Sequence, residues 1–169
     1  SNNVTSAGNG WYRIQVTAAA TTSAIGYIAL SSSSSPTWVS SLPSYTGDGV
    51  SNIFIWGAQL ELGSSATPYY PSNFNVQRYN WASTAQKANT NLIAYSQTFT
   101  NSSWSKSNIT ISANSATAPD GTATATLVYS TATGTQALLY KTHNQGIGAT
   151  ITFSFYAQAA GKTWAVFQT

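Results

Sequence analysis

Short segments in which apolar and polar residues alternate at every second position constrain the fold of this chain most strongly. The clearest one covers residues 150–157, where Ile151, Phe153 and Phe155 are separated by polar residues. Residues 11–16 repeat the pattern. Because successive side chains of a strand point to opposite faces of a sheet, this period predicts half-buried strands. No segment of useful length has the helical period, so we predict an all-β protein.

The strongest predicted strand covers residues 53–62. The alternation places one set of its apolar side chains on a single face: Phe54, Trp56, Ala58, Leu60 and Leu62. Ile53 and Ile55 fall on the opposite face, as expected for a central strand buried on both sides. Turn sequences, such as residues 46–49 and 118–121, separate the predicted strands. Short strands divided by such turns at intervals of about 8–12 residues are typical of a β-sandwich.

The low charge of the chain excludes several classes of partner. Only 5% of its residues are charged, against roughly 25% in a typical soluble domain. The six Lys and Arg residues are scattered, whereas a nucleic-acid surface needs a dense basic stripe. No apolar run approaches the roughly 18 residues of a membrane helix. We therefore predict neither nucleic-acid binding nor membrane insertion.

The chain contains no Met, so we expect that Ser1 is not the first residue of the gene product.

Few side chains could support catalysis. The carboxylates are Asp48, Glu61 and Asp120, the one histidine is His143, and cysteine is absent. A glycosidase needs two carboxyl groups that flank the scissile bond, and only Asp48 and Glu61 are close in sequence. Asp48 lies between two glycines, where Asp is a turn former, and His143 is predicted to be a solvent-exposed loop residue. We therefore predict no catalytic residue and no enzymatic activity.

Asp120 is the one weak candidate for metal binding. It lies in an Ala-Pro-Asp-Gly turn, where the simplest prediction is an Asx turn. The alternative is a calcium ligand. Calcium takes about six to eight oxygen ligands, usually with several carboxylates, and the chain has three carboxylates in all. No other cofactor is predicted.

The chain is rich in aromatic residues, with six Trp and ten Tyr. Exposed aromatic rings stack on sugars in carbohydrate-binding proteins, and Trp and Tyr combine an apolar body with a polar tip. Trp11, Trp38 and Trp104 are the candidate sugar-stacking residues, with burial in a core or an interface as the alternative for each. Trp81 is the candidate interface residue, because it lies in a polar stretch predicted to be a linker. Trp56 shares a face with aliphatic residues and is predicted to be core.

Two parts of the chain resemble halves of one known type of domain. Residues 10–13, 45–49, 55–61 and 63–71 include Gly-Trp-Tyr-Arg, Ile-Trp-Gly-Ala-Gln-Leu-Glu and Thr-Pro-Tyr-Tyr-Pro. These segments resemble the C-terminal half of the jelly-roll domains of bacteriophage tail fibres and related phage structural proteins. Residues 91–96, 118–122 and 153–157, with Trp164, are similar to the N-terminal half. The resemblance implies a jelly-roll β-sandwich, an architecture shared with many carbohydrate-binding modules.

The two halves occur in permuted order. Residues 1–72 form the C-terminal-type half, residues 73–90 the linker, and residues 91–169 the N-terminal-type half. Three arrangements remain open: parts of two tandem domains, a circular permutant, or half-domains completed by strand exchange between copies. The tandem arrangement is the preferred interpretation.

The resemblance implies a structural or recognition module of a phage tail fibre or another virion appendage. Such a module would be located on the virion or outside the cell. It would associate with copies of itself or with tandem domains of the same fibre, and would contact polysaccharide on the host surface. Two alternatives stay open: a carbohydrate-binding module of a secreted bacterial protein, and a self-assembling subunit of an extracellular filament.

Overall fold

A computed structural model describes residues 1–19, 24–31, 33–39, 42–44, 50, 52–72, 91–130, 136–143, 148–161 and 164–168. These residues form strands and no helix. The strands are β1 (Asn2–Gly8), β2 (Trp11–Ala19), β3 (Ala24–Ser31), β4 (Thr37–Val39), β5 (Leu42–Ser44), β6 (Asn52–Leu62), β7 (Ser105–Ser107), β8 (Ile109–Ala116), β9 (Ala125–Ser130), β10 (Leu138–His143), β11 (Thr150–Ala160) and β12 (Trp164–Gln168). The predicted all-β fold is confirmed.

The strands form two main antiparallel sheets and a hairpin. The six-stranded sheet has the order β1-β2-β11-β6-β9-β8, and the four-stranded sheet has the order β12-β3-β10-β7. Strands β4 and β5 form the separate hairpin. The two main sheets pack face to face through a shared apolar core, as in a β-sandwich.

The two sequence segments predicted as half-domains share both main sheets. In the six-stranded sheet, β6 from residues 1–72 lies between β11 and β9 from residues 91–169. In the four-stranded sheet, β3 lies between β12 and β10. In this structure, therefore, each segment completes the sheets of the other within one chain. The predicted linker over residues 73–90, with Trp81, lies outside the described residues, as does the predicted turn over residues 46–49.

The core between the sheets contains the apolar residues of the central strands. Phe153 and Phe155 of β11 are fully buried there, together with Ile28 and Leu30 of β3 and Leu139 of β10. The ring of Phe153 packs against the backbone of Gly26 in β3, where an added Cβ would lie 3.0 Å from a ring carbon. The predicted core positions of Phe153 and Phe155 are thus confirmed. The polar residues Thr152 and Ser154 on the other face are buried as well, so β11 is not the half-buried strand that its period predicts.

A β-bulge in β6 overturns the predicted assignment of its faces. Ser154 of β11 pairs with Gln59, but Tyr156 pairs with Trp56, so β6 contains one extra residue at this point. Gly57 lies there with a φ of 62°, in the left-handed region that glycine adopts without strain.

The bulge changes which residues of β6 face the core. Before the bulge Ile55 faces the core, and after it Ala58 does. Phe54 and Trp56 therefore lie on the outer face of the sheet, and the prediction that they share a face with Ala58 and Leu60 was wrong.

Residues 91–96 form hydrogen bonds with β6 of the six-stranded sheet, although they are not a strand. Residues 91–96 contain turns and bends and no strand. Asn91 nevertheless takes the place of a strand neighbour of β6. Its Nδ2 donates to the carbonyls of Ala58 (2.9 Å) and Tyr70 (3.0 Å), and its Oδ1 accepts from the amides of Leu60 (3.2 Å) and Ile93 (3.0 Å). One buried amide side chain thus joins three parts of the chain.

Lys141 and His143 lie at one end of the core, on β10. The Lys141 ammonium donates to the Ala94 carbonyl and to the Ser103 hydroxyl, both at 2.8 Å, and lies 5.4 Å from the centroid of the Trp104 ring. Partial burial lowers the pKa of Lys141 to about 8. Burial, followed by the nearby positive charge of Lys141, lowers the pKa of His143. His143 is only 8% exposed at the end of a strand, so its predicted position in an exposed loop was wrong.

The described part of the chain contains no helix with the length and apolar character that a membrane crossing requires.

Candidate functional site

A second apolar cluster covers the outer face of the six-stranded sheet. Trp11 and Trp56 are its large buried members, and Tyr69 and Tyr156 pack against them. The cluster exists because the bulge at Gly57 turns Trp56 away from the core between the sheets. The Trp56 indole is fixed by a hydrogen bond from Nε1 to the Thr124 hydroxyl (3.0 Å). The outer face of this sheet is therefore an ordered aromatic surface.

The segment that follows β6 folds back over this face. Glu61 accepts hydrogen bonds from the amide of Thr67 (2.7 Å), from the Thr67 hydroxyl (3.1 Å) and from Gln59 Nε2. Gln59 Oε1 accepts from the amide of Tyr70 (2.8 Å). The polar residues of the Trp-Gly-Ala-Gln-Leu-Glu stretch thus hold the Thr-Pro-Tyr-Tyr segment in place. This is how Tyr69 comes to lie on Trp56.

Three rings form one wall of the site. The ring centroids of Trp56 and Tyr69 are 4.5 Å apart, those of Trp56 and Tyr156 are 5.4 Å apart, and those of Tyr69 and Tyr156 are 6.3 Å apart. The tilted and edge-to-face angles are those that aromatic pairs prefer. The guanidinium of Arg13 lies 5.5 Å from the Tyr156 centroid. Each ring is therefore held by its neighbours.

Tyr69 is neutral at physiological pH. Burial raises the pKa of its hydroxyl well above the usual value, against the smaller opposing effect of a hydrogen bond with Ser96; the negative charge of Asp120 raises the pKa further. The two hydroxyl oxygens of Tyr69 and Ser96 are 2.6 Å apart. Asp120 and Tyr69 also line the same cleft, so the carboxylate and the aromatic wall belong to one site.

The aromatic wall borders a cleft of about 320 Å³. Its lining residues are Trp56, Tyr69, Pro71, Gln97, Pro119, Asp120 and Tyr156. Three polar groups at the cleft form no hydrogen bond with the described part of the chain: the Gln97 amide, the Tyr156 hydroxyl and one carboxylate oxygen of Asp120. A concave apolar surface with a few convergent polar groups is typical of a ligand-binding site.

Asp120 forms the predicted Asx turn. Its Oδ1 accepts from the amide (2.9 Å) and the hydroxyl (2.6 Å) of Thr122. The predicted calcium site gains no support, because the described residues contain no group of three or more His, Cys, Asp or Glu side chains that could hold a metal ion. The turn instead holds one carboxylate oxygen and leaves the other toward the cleft.

The predicted sugar-stacking residues lie in different environments. Trp11 is 3% exposed and donates from Nε1 to the Thr117 carbonyl (3.2 Å). Trp104 is 2% exposed and donates to the Tyr95 carbonyl (2.9 Å). Neither ring presents a face to solvent, so the stacking prediction is wrong for these two. Trp38 is 54% exposed on β4, apart from the cleft residues, and retains the exposure that stacking requires.

The two carboxylates considered for catalysis do not form a pair among the described residues. Asp48 lies outside these residues. Glu61 is buried, and both of its oxygens accept hydrogen bonds that hold the segment after β6. Its role in this structure is therefore to anchor the polypeptide beside the cleft.

Sequence reasoning missed most of the cleft. Tyr69 and Tyr156 were recognised only as part of a motif and of a strand, and Gln97 was not identified. One usable signal was Gly57 inside a strong strand, because glycine in a strand often marks a bulge. A bulge there moves Trp56 to the outer face and indicates that a second aromatic surface exists.

Comparison of the chain with protein-family models, with curated proteins and with solved structures gives no match in any of the three cases. The resemblance to phage tail-fibre domains therefore stays a prediction from the residues that suggested it.

Proposed function

We propose that this protein is a non-catalytic structural and recognition module of a phage tail fibre or another extracellular appendage, and that it contacts surface glycans. The observation that carries this proposal is the cleft on the outer face of the six-stranded sheet. The cleft combines ordered aromatic rings with hydroxyl, amide and carboxylate groups that have no hydrogen-bond partner in the described part of the chain. Saccharides present the complementary chemistry, with apolar C–H faces and many hydroxyls.

The composition supports the same function. With 5% of residues charged, the polar side chains of the protein are mainly neutral hydroxyl and amide groups. A protein with such side chains lacks the long-range field that draws proteins to charged partners of either sign. Selectivity must then come from short-range contacts at a defined site, as is the case in glycan recognition.

Retention on polysaccharides tests this function. We expect the wild-type protein to migrate more slowly in native gels that contain a bacterial surface polysaccharide than in gels without it, for at least one member of a panel of capsular and O-antigen polysaccharides. We also expect no new reducing ends after prolonged incubation. Unchanged migration with every polysaccharide would contradict the recognition function, and release of reducing ends would contradict the non-catalytic one.

A second candidate function is self-assembly through an open sheet edge. Strand β1 pairs with β2 on one side only, and all seven of its residues are exposed. Its sequence carries no charge, and Val4 is 63% exposed. By contrast, the edge strand β7 carries Lys106. The register of β1 against β2 shifts only near its end, between Ser6 and Gly8, so residues 2–6 keep regular pairing. Charges and bulges protect sheet edges against further pairing, and this regular stretch of β1 has neither.

A single charge on β1 tests the self-assembly. If a second copy of the chain pairs with β1, the wild-type protein is expected to show a mass above that of the monomer in light scattering after size exclusion. Val4→Lys is expected to shift it to the monomer. Val50→Lys, at another exposed valine, serves as the matched control and should leave the mass unchanged. Equal monomeric masses for wild type and Val4→Lys would contradict assembly through this edge.

A further inference from the structure

The polar groups of the cleft are positioned to form hydrogen bonds with hydroxyl groups of a ligand. Asp120 is oriented by two hydrogen bonds to one of its oxygens, from the amide and the hydroxyl of Thr122. The other oxygen is a fixed acceptor that forms no hydrogen bond with the described residues. A pre-oriented acceptor of this kind binds hydroxyl donors at little entropic cost. The Gln97 amide and the Tyr156 hydroxyl add groups that both donate and accept.

The described residues that line the cleft carry one negative charge, that of Asp120. Within the part of the chain that the structure describes, Asp120 is the only ionisable lining residue other than tyrosine, and none of these lining residues is Lys or Arg. Of the described cations, Arg13 contacts the aromatic wall, but its guanidinium lies over the Tyr156 ring and donates from Nη2 to the Ser154 hydroxyl at 3.0 Å. An anionic ligand would therefore meet the negative carboxylate at the rim without a compensating cation among the lining residues.

The aromatic wall provides the apolar part of the site. The rings of Tyr69 and Tyr156 are half-buried, and Trp56 supports both from below. Their ring carbons offer a rigid apolar surface beside the polar groups. A pyranose presents the same combination, because its C–H groups and its hydroxyls point in different directions. The volume of about 320 Å³ lies at the lower end for ligand sites and suits a short saccharide.

We propose that this cleft binds a neutral saccharide and discriminates against acidic ones. The sugar ring contacts Tyr69 and Tyr156, its hydroxyls donate to the free oxygen of Asp120, and the Gln97 amide binds a further hydroxyl. The same carboxylate repels uronic acids and other acidic sugars. This inference rests on the proposed recognition function and adds to it the position of the site and the charge class of the ligand.

A pair of polysaccharides that share one backbone and differ in charge tests the inference on the full chain. The polysaccharide that retards the wild-type protein most is prepared in two forms with one backbone, the neutral form and the form with carboxylates at C6. We expect the neutral form to bind about tenfold more tightly, the scale of one lost charge-assisted interaction. Equal or tighter binding of the acidic form would overturn the proposed charge selection. An amino-sugar form that binds more than tenfold tighter than the neutral one would show a cation site instead.

Variants with a matched control test the position of the site. Gln97→Ala is expected to weaken binding of the neutral form about three- to tenfold, while the thermal midpoint stays unchanged, because Gln97 forms no side-chain hydrogen bond with the described part of the chain. Asp120→Asn keeps an oxygen for the Thr122 hydrogen bonds and removes the charge. It should therefore bring the affinities of the neutral and acidic forms close together.

The control variant is Gln15→Ala, at another amide on strand β2, and it is expected to bind like wild type. Trp38→Ala tests the other candidate ring, which is exposed on the hairpin. Weaker binding in this variant, together with normal binding in Gln97→Ala, would overturn the proposed position of the site. If the wild type is retained but the Gln97 and Asp120 variants bind normally, the inference about the cleft is wrong and the recognition function stands. If the wild type is retained by no polysaccharide, the recognition function itself is wrong.

Discussion

Asn91→Ala is expected to lower the free energy of unfolding by about 3–4 kcal/mol, one of the two largest effects predicted for a single side chain of this protein. Asn91 is buried, and its amide makes four hydrogen bonds, two as donor and two as acceptor. Alanine would leave two backbone amides and two carbonyls without these partners. Each buried polar group left unsatisfied costs about 1–3 kcal/mol, and entry of water recovers part of that.

The matched control for this substitution is Asn3→Ala. Asn3 lies on the exposed strand β1, and its side chain forms no hydrogen bond with the described part of the chain. Its replacement should change stability by less than about 0.5 kcal/mol. Both values are measured by urea unfolding, followed by tryptophan fluorescence. A loss below about 1 kcal/mol in Asn91→Ala would mean that residues 91–96 are not joined to β6 in the way described.

The strands could be predicted from sequence where packing imposes a strict period. Phe153 and Phe155 alternate with polar residues, and both lie in the core as predicted. The pairing of the strands could not be predicted, because β11, which begins at residue 150, lies between β2 and β6, which end at residues 19 and 62. Such pairing depends on long-range complementarity of whole faces, and a local pattern does not contain that information.

The site was predicted less well than the fold, for a related reason. Trp11, Trp38 and Trp104 are all aromatic residues near polar ones in sequence, yet only Trp38 is exposed. Whether a ring is core or surface depends on what covers the sheet. On the outer face of the six-stranded sheet, that cover is the segment after β6, held by Gln59 and Glu61. The sequence shows Gln59 and Glu61 as part of a motif, but it does not show that they bind the backbone of Thr67 and Tyr70.

Gly57→Ala is expected to lower the free energy of unfolding by about 3 kcal/mol. Part of this cost is the left-handed backbone, which a non-glycine residue adopts at about 1–2 kcal/mol. The remainder comes from contacts, because the added Cβ would lie 3.3 Å from ring atoms of both Tyr69 and Tyr156. Overpacking of this kind costs about 1–3 kcal/mol. The two rings must move, so polysaccharide retention should fall as well.

Gly8→Ala separates these two contributions. Gly8 has a φ of 84° and nothing within 4 Å of the position of an added Cβ, so its replacement should cost only the backbone term of about 1–2 kcal/mol and leave retention unchanged. A clearly larger loss of stability in Gly57→Ala, together with weaker retention, would link the bulge to the cleft. If both variants lost the same stability and retained the polysaccharide equally, the rings would not depend on the bulge. The aromatic wall would then owe its shape to the segment after β6 alone, since that segment positions Tyr69 through hydrogen bonds that neither substitution touches.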